Sequence, residues 1–194
     1  MRIIGGRLRG LKLADIGAGD PAAHLRPTTD RVRETMFNLL INSLGIRLEG
    51  LRVLDLFAGT GALGLESLSR GAERVVFVDD GTTARALLRT NIEKARAMGI
   101  TDIWRRDATR LGPNRGTGYD LVFMDPPYGH GLGEAALQSA RDGGWLTQDV
   151  VIVWEESAPP VLPAGFTVLD QRRYGETLIT ILRHDKEALT SALA

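Results

Sequence analysis

Four consecutive residues, Asp125-Pro126-Pro127-Tyr128, combine a carboxylate, two stiff prolines and a flat aromatic ring directly after the apolar run Tyr119–Met124. Such a set suits chemistry on an exocyclic amine of a nucleobase. That amine is a poor nucleophile because its lone pair is conjugated into the ring. Hydrogen-bond acceptors on both N–H groups favour a pyramidal, more localised lone pair. The Asp125 carboxylate and the Pro126 carbonyl can supply those two acceptors, and the prolines restrict their placement. Tyr128 offers a face for the base, where stacking contributes about 1–3 kcal/mol per base. A proline turn packing an aromatic would explain Pro-Pro-Tyr alone. An aspartate in front, at a strand end, argues for chemistry.

A second cluster lies upstream. Gly59-Thr60-Gly61-Ala62-Leu63-Gly64 follows a predicted strand and opens a predicted helix, the setting in which G-x-G-x-x-G lets a ligand approach the helix N-terminus closely. Asp55, at the end of the same strand, would repel a pyrophosphate lying on that turn. S-Adenosylmethionine fits better, because it is a net cation that tolerates nearby acids. Asp79 ends the next strand, where its carboxylate can accept from two ribose hydroxyls; that position suits a nicotinamide dinucleotide equally well. Asp107, after the third strand, either accepts from an adenine amino group or caps the turn Asp107-Ala108-Thr109.

Asp55, Asp79, Asp107 and Asp125 thus fall at the carboxyl ends of four successive strands, which in an open parallel sheet share one crevice. No histidine, lysine or metal-spaced cluster converges with them, so no metal is expected. His24, His130 and His184 are scattered, and Trp104, Trp145 and Trp154 border strands as packing residues. Acids without a basic partner suit a cationic methyl donor and an amine acceptor.

The elements that must hold these residues follow from the apolar rhythm. Strands are predicted at Leu51–Phe57, Arg74–Val78, Thr101–Arg105, Tyr119–Met124 and Val150–Trp154, with helices at Ala62–Arg70, Thr82–Met98 and Gly133–Asp142. Runs such as Val75-Val76-Phe77-Val78 do not alternate, so both strand faces are covered, as in a parallel sheet between helix layers. Phe166–Tyr174 and Glu176–Leu182 meet at Gly175 with no helix between them and read as an antiparallel hairpin. Residues 1–13 read as a short hairpin, 14–28 as a mobile loop, and Thr29 onward as a helix lined by Val32, Met36, Leu39, Leu40 and Leu44. The last ten residues read as a frayed tail.

Composition narrows the class. The chain has 194 residues, 43% hydrophobic and 25% charged, with no cysteine, which excludes disulfide scaffolds, thiolate metal sites and cysteine nucleophiles. No apolar run approaches a membrane span and Met1-Arg2-Ile3-Ile4 is no secretory signal, so a soluble, cytoplasmic protein without membrane contact is expected. Net charge is zero, yet residues 1–52 carry nine Lys/Arg against five Asp/Glu. That front end points to a polyanion. Arg2, Arg7, Arg9 and Lys12, then Arg26, Arg31 and Arg33, are the candidate phosphate contacts. Arg31 and Arg33 lie about 200° apart around a helix, so one of them faces inward.

Taken together, Asp55-Leu56-Phe57-Ala58-Gly59-Thr60-Gly61-Ala62-Leu63-Gly64-Leu65-Glu66 and Asp125-Pro126-Pro127-Tyr128 resemble a class I S-adenosylmethionine-dependent amino-methyltransferase. Arg2-Ile3-Ile4-Gly5-Gly6, Arg26-Pro27-Thr28-Thr29-Asp30-Arg31-Val32-Arg33-Glu34, Phe37-Asn38 and Tyr174-Gly175-Glu176-Thr177 resemble, more narrowly, the RsmD family of bacterial 16S ribosomal RNA guanine-N2 methyltransferases. The resemblance implies a Rossmann-like α/β fold: a largely parallel, doubly wound sheet with a C-terminal antiparallel hairpin and an N-terminal β-hairpin-plus-helix extension. It implies that Ala58, Gly59, Thr60, Gly61 and Gly64, with Asp55, Asp79 and Asp107, hold S-adenosylmethionine, released as S-adenosylhomocysteine. Asp125 to Tyr128 would be catalytic, and the substrate 16S ribosomal RNA in a partly assembled small subunit.

Rival readings remain at this stage. An adenine-N6 DNA enzyme would bring a target-recognition domain for which there is no room, and a glutamine-amide methyltransferase would carry Asn at position 125. A nicotinamide oxidoreductase is opposed by Asp55, and a non-catalytic assembly factor would bind RNA without methylating it. The expected organisation is a basic extension over residues 1–28, a methyltransferase domain over 29–184 and a tail over 185–194, in a monomer.

Overall fold

A computed structural model describes residues 1–15 and 29–184. Residues 16–28 of the expected mobile loop, with Arg26 and His24, and the tail over 185–194 lie outside the described residues. Seven strands form one sheet: β1 (Arg52–Leu56), β2 (Arg74–Val78), β3 (Thr101–Trp104), β4 (Tyr119–Met124), β5 (Leu146–Glu156), β6 (Phe166–Tyr174) and β7 (Thr177–His184), in the order β3-β2-β1-β4-β5-β7-β6. The first five are parallel, and β7 pairs antiparallel with both β5 and β6. Strand order reverses between β1 and β4, which creates the crevice where such sheets bind ligands.

The non-alternating apolar runs are divided between two layers. Val75 and Phe77 join one core with α1 (Asp30–Asn38), α2 (Ala62–Ser69) and α3 (Thr82–Lys94). Val76 and Val78 join the other, against α4 (Leu132–Asp142) with Trp145 and Trp154. Burial on both faces is what permits Val-Val-Phe-Val in place of an alternating pattern.

Three expectations are corrected. The N-terminal hairpin contracts to a single antiparallel bridge, Arg2 to Lys12, because residues 6–8 form a 3-10 turn instead of strand. The helix expected to reach Met98 stops at Lys94. There Arg96 adopts φ 52°, while Ala97 N bonds Ile92 O and Arg96 N bonds Glu93 O, the paired bonds of a Schellman cap. The helix after Thr29, which caps it through its hydroxyl, passes at Leu39 into a π turn reaching Ser43.

Residues 1–14 are fastened to the sheet's helices rather than projecting from them. Glu66, fully buried on α2, accepts from Ile4 N at 2.7 Å, Gly5 N at 2.8 Å and Arg70 Nε at 2.8 Å. Ser69 Oγ accepts from Leu8 N at 2.8 Å, and the Asn91 amide of α3 exchanges two bonds with Ala14 while donating to Thr60 O. Gly6 is obligatory here: its φ is 72° and a Cβ would lie 1.8 Å from Ser69 O. Ile3 and Leu13 enter the same core as α1 to α3.

Removing Glu66 orphans two backbone donors and a guanidinium. Glu66→Ala should cost about 3–5 kcal/mol of stability in urea unfolding, and the first fourteen residues should become a site of limited proteolysis.

Candidate active site

Asp55 lies on the α2-facing side of β1, and its cross-strand neighbour on β4 is Phe123. Two residues beyond Phe123 comes Asp125. Val153 of β5 pairs with Phe123, and two residues beyond it comes Glu155. Side chains repeat every second residue, so carboxyls from β1, β4 and β5 step along one face at the switch in strand order.

Asp55 is 2% exposed, and its Oδ2 accepts from Gly64 N at 2.9 Å in the first turn of α2. Desolvation drives its carboxyl up to about 8; the Gly64 bond opposes that rise and the charge of Asp79 adds to it. Asp125 is pushed well above the carboxylate range, first by desolvation and then by the negative charges of Glu155, Asp55 and Glu156. Neither Asp55 nor Asp125 has an ion pair with a described residue. Acids crowded without a cation are what an entering cation would relieve.

The glycine turn is built by its neighbours. Gly61, at φ 77°, starts α2, and a Cβ there would lie 2.2 Å from Leu88 Cδ1. Phe57 also takes a left-handed conformation, φ 59°, uncommon for a bulky residue and typical of strained functional turns. Asp79 braces the loop: Oδ2 accepts from Gly59 N and Oδ1 from Gly81 N, each at 2.8 Å. Burial raises its carboxyl, against those two bonds. Each of its oxygens retains a second lone pair for a hydroxyl. Thr60 Oγ1 lies 3.5 Å from Met1 Sδ, so the N-terminus touches this loop directly.

Asp107 stands apart. Its Oδ1 accepts from Thr109 N at 2.8 Å and Thr109 Oγ1 at 2.7 Å, which hold its carboxyl below the usual value. It is an exposed turn cap. Pro126 is buried, whereas Pro127 is exposed.

Tyr128 is half-buried, with its hydroxyl donating to Glu155 Oε1 at 2.7 Å. Burial is the first cause that raises its phenol. Glu155 and Glu156 are absent from the sequence expectation, although the rule that found Asp55 and Asp125, an acid at a strand's carboxyl end, also selects them. The strand expected over Val150–Trp154 runs two residues further, to Glu156.

Arg2, Arg7, Arg9, Lys12 and Arg31 are exposed. Arg33 is not, and it leaves the set of phosphate contacts: it is 1% exposed, and its Nη2 donates to Arg2 O and to Asp30 Oδ1 at 2.9 Å. The opposed faces of Arg31 and Arg33 are resolved in this way. His130 lies exposed in the loop after Tyr128. Among the described residues, no group of three or more His, Asp or Glu side chains is placed to hold a metal ion, and no helix is long and apolar enough to cross a membrane.

A family model described as Conserved hypothetical protein 95 matches residues 1–183. Ribosomal RNA small subunit methyltransferase D of Escherichia coli is 33% identical over 195 residues, covering 99% of this chain and 94% of that protein. The Haemophilus influenzae protein of the same name is 34% identical, covering 90% and 89%. Among solved structures, Escherichia coli yhhF superposes with a TM-score of 0.81 at 34% identity, over 95% of this chain and 98% of that one. TrmN from Thermus thermophilus gives 0.62 at 25% identity, over 84% and 51%.

The raised carboxyl of Asp55 has a consequence for stability. Between 3.8 and about 8 the folded state holds a proton that the unfolded chain releases, so stability falls as pH rises through that window, by up to about 1.4 kcal/mol per unit. Asp55→Asn should flatten this decline and raise the melting temperature at pH 8.5 more than at pH 5, in parallel thermal scans.

Proposed function

The chain belongs to the RsmD family, described as conserved hypothetical protein 95, and on that premise we propose that it methylates the exocyclic N2 of a guanine in 16S ribosomal RNA, using S-adenosylmethionine. The observation that carries this reading is the pair Asp55 and Asp125, desolvated and without a cationic partner among the described residues, beside a glycine turn on one side and Tyr128 on the other.

The residues present fit the cofactor. Gly59 and Gly61 take the left-handed φ that the turn needs and Gly64 lets α2 pack closely on Val75 and Phe77, with Ala58 and Thr60 in the same loop. Asp79 is at hand for ribose hydroxyls, and Asp55 for a cationic group. Asp107, with Oδ1 committed to its cap, would use Oδ2 toward an adenine amine. S-Adenosylmethionine supplies an electrophilic methyl on a sulfonium, and a neighbouring cation lowers both raised carboxyls.

On the substrate side, the Asp125 carboxylate and the Pro126 carbonyl accept from the two amine N–H groups. Tyr128 stacks the base, so alignment and electrostatics carry the rate. As the nitrogen takes the methyl, its proton passes to an Asp125 oxygen, whose raised affinity suits that role. Arg2, Arg7, Arg9, Lys12 and Arg31 bind phosphates of the RNA flanking the target.

The division of labour follows. Residues 1–28, with Arg31 beside them, serve RNA, and residues 29–184 form the catalytic domain. The protein acts as a cytoplasmic monomer on a partly assembled small subunit.

Mass-spectrometric mapping of methylated nucleosides in ribosomal RNA, with and without the protein, tests the reading. One guanine should lose N2-methylation in its absence, and an unchanged map would exclude the function. Calorimetry should show S-adenosylmethionine binding more tightly as pH rises toward about 8, with a weaker trend for the uncharged sulfur of S-adenosylhomocysteine and no tight binding of NAD. Asp125→Ala should reduce turnover at least 100-fold while changing cofactor affinity little. Replacing Arg7, Arg9 and Lys12 together by Ala should weaken RNA binding and lower the log–log salt slope by about one per lost phosphate contact.

A further inference from the structure

Stacking a base needs only a ring, and phenylalanine would provide one. Tyr128 instead carries a hydroxyl held by two side chains from other strands. It donates to Glu155 Oε1 at 2.7 Å and lies 3.1 Å from Thr177 Oγ1, which is itself 3.4 Å from the same carboxylate oxygen. Glu155 is 6% exposed near the end of β5, and Thr177 is the first residue of β7. Register explains the meeting: Glu155 pairs with Ile179, so Thr177, two residues earlier, emerges from the same face in the adjacent row.

The next residue along the loop is also tied down. Gly129 N donates at 3.2 Å to Oε1 of buried Glu156, an oxygen that Ser157 N also reaches at 2.8 Å. Two successive glutamates of β5 therefore hold the motif loop, one through the tyrosine hydroxyl and one through the backbone. Burying a carboxylate carries a desolvation cost that a stacking platform does not require. What the arrangement provides is orientation. A ring restricted to one rotamer gives up no further freedom when a base docks on it.

We infer that Glu155 and Thr177 are positioning residues of the target-base subsite, fixing the plane of Tyr128 so that an incoming base meets Asp125 with its exocyclic amine in line. The inference rests on the base-methylation reading above. Glu155 acts on the subsite in a second way, because its charge adjoins Asp125 alongside those of Asp55 and Glu156 and the phenol of Tyr128. Neutralising Glu155 lowers the proton affinity of Asp125.

The test uses the full-length protein with S-adenosylhomocysteine and an RNA carrying fluorescent 2-aminopurine at the guanine the wild type methylates. Stacking on Tyr128 quenches that fluorophore. Tyr128→Phe and Thr177→Val should each lose at least half of the quench and raise the KM for RNA at least 5-fold, with cofactor affinity changed less than 2-fold. Glu155→Gln, which keeps an acceptor for the hydroxyl, should retain most of the quench yet shift the acid limb of the kcat–pH profile to lower pH. Glu155→Ala should lose the quench; should it fail to fold, the conservative Tyr128→Phe decides. A Tyr128→Phe enzyme equal to wild type in quench and kcat/KM would overturn the inference while leaving the function standing. A wild type that methylates no ribosomal RNA would overturn the function itself.

Discussion

Acidic side chains crowded at the ends of neighbouring strands are the constraint around which this molecule is arranged. Asp55, Asp125, Glu155 and Glu156 gather at the reversal of strand order; Gly64 N donates to Asp55, the Tyr128 hydroxyl to Glu155, and Gly129 N and Ser157 N to Glu156. A neutral donor stabilises a buried carboxylate less than a guanidinium would, so Asp55 keeps a raised proton affinity, and Asp125 is raised by desolvation and by the charges of Glu155, Asp55 and Glu156. The site is therefore electrostatically incomplete in the way a cationic ligand completes. It stands in contrast to Glu66, equally buried, which has Arg70 and two backbone donors and is a finished structural joint.

That joint matters because it makes the basic N-terminal segment part of the same rigid body as the glycine turn. Met1 packs against Thr60, and Asn91 ties Thr60 O to Ala14. Arg33, spent inside, supports Arg2 through its carbonyl and shares Asp30 with the exposed Arg2 side chain, whose Nε lies 3.4 Å from Asp30 Oδ2. Surface cations are thus presented from a segment whose backbone is fixed by buried polar residues of α2 and α3. A polyanion gripped there is held in a defined position relative to the crevice.

Much of this was legible in the residues. Strands β2 and β4 have the predicted bounds because apolar runs of β-branched and aromatic residues leave little ambiguity, and β6 has them although its second half is polar. Other boundaries were not. The end of α3 carries no glycine or proline; Arg96 takes the left-handed position because Ala97 must turn inward, and only the packing of Ala97 reveals that. The apolar run of β5 ends at Trp154, and glutamates are poor strand formers. Pairing with β7 overrides that preference: Glu155 and Glu156 face Ile179 and Leu178 in the ladder. Alternation around the N-terminal glycines looks the same whether one bridge forms or several.

By itself the sequence determined the chemistry: acids at successive strand ends, a glycine turn, and an aspartate-proline-proline-tyrosine turn. Those signals are local, and short-range periodicity and turn geometry write them directly into residue order. Tertiary structure decided which groups share one environment. Asp55 and Asp125 owe their proton affinities to burial and to charges 24 to 70 residues away in the chain, Asp107 turns out to cap its own loop, and Tyr128 gains its tether from β5 and β7. Burial and Coulomb interaction depend on distance in space, and that distance exists only once the strands have paired.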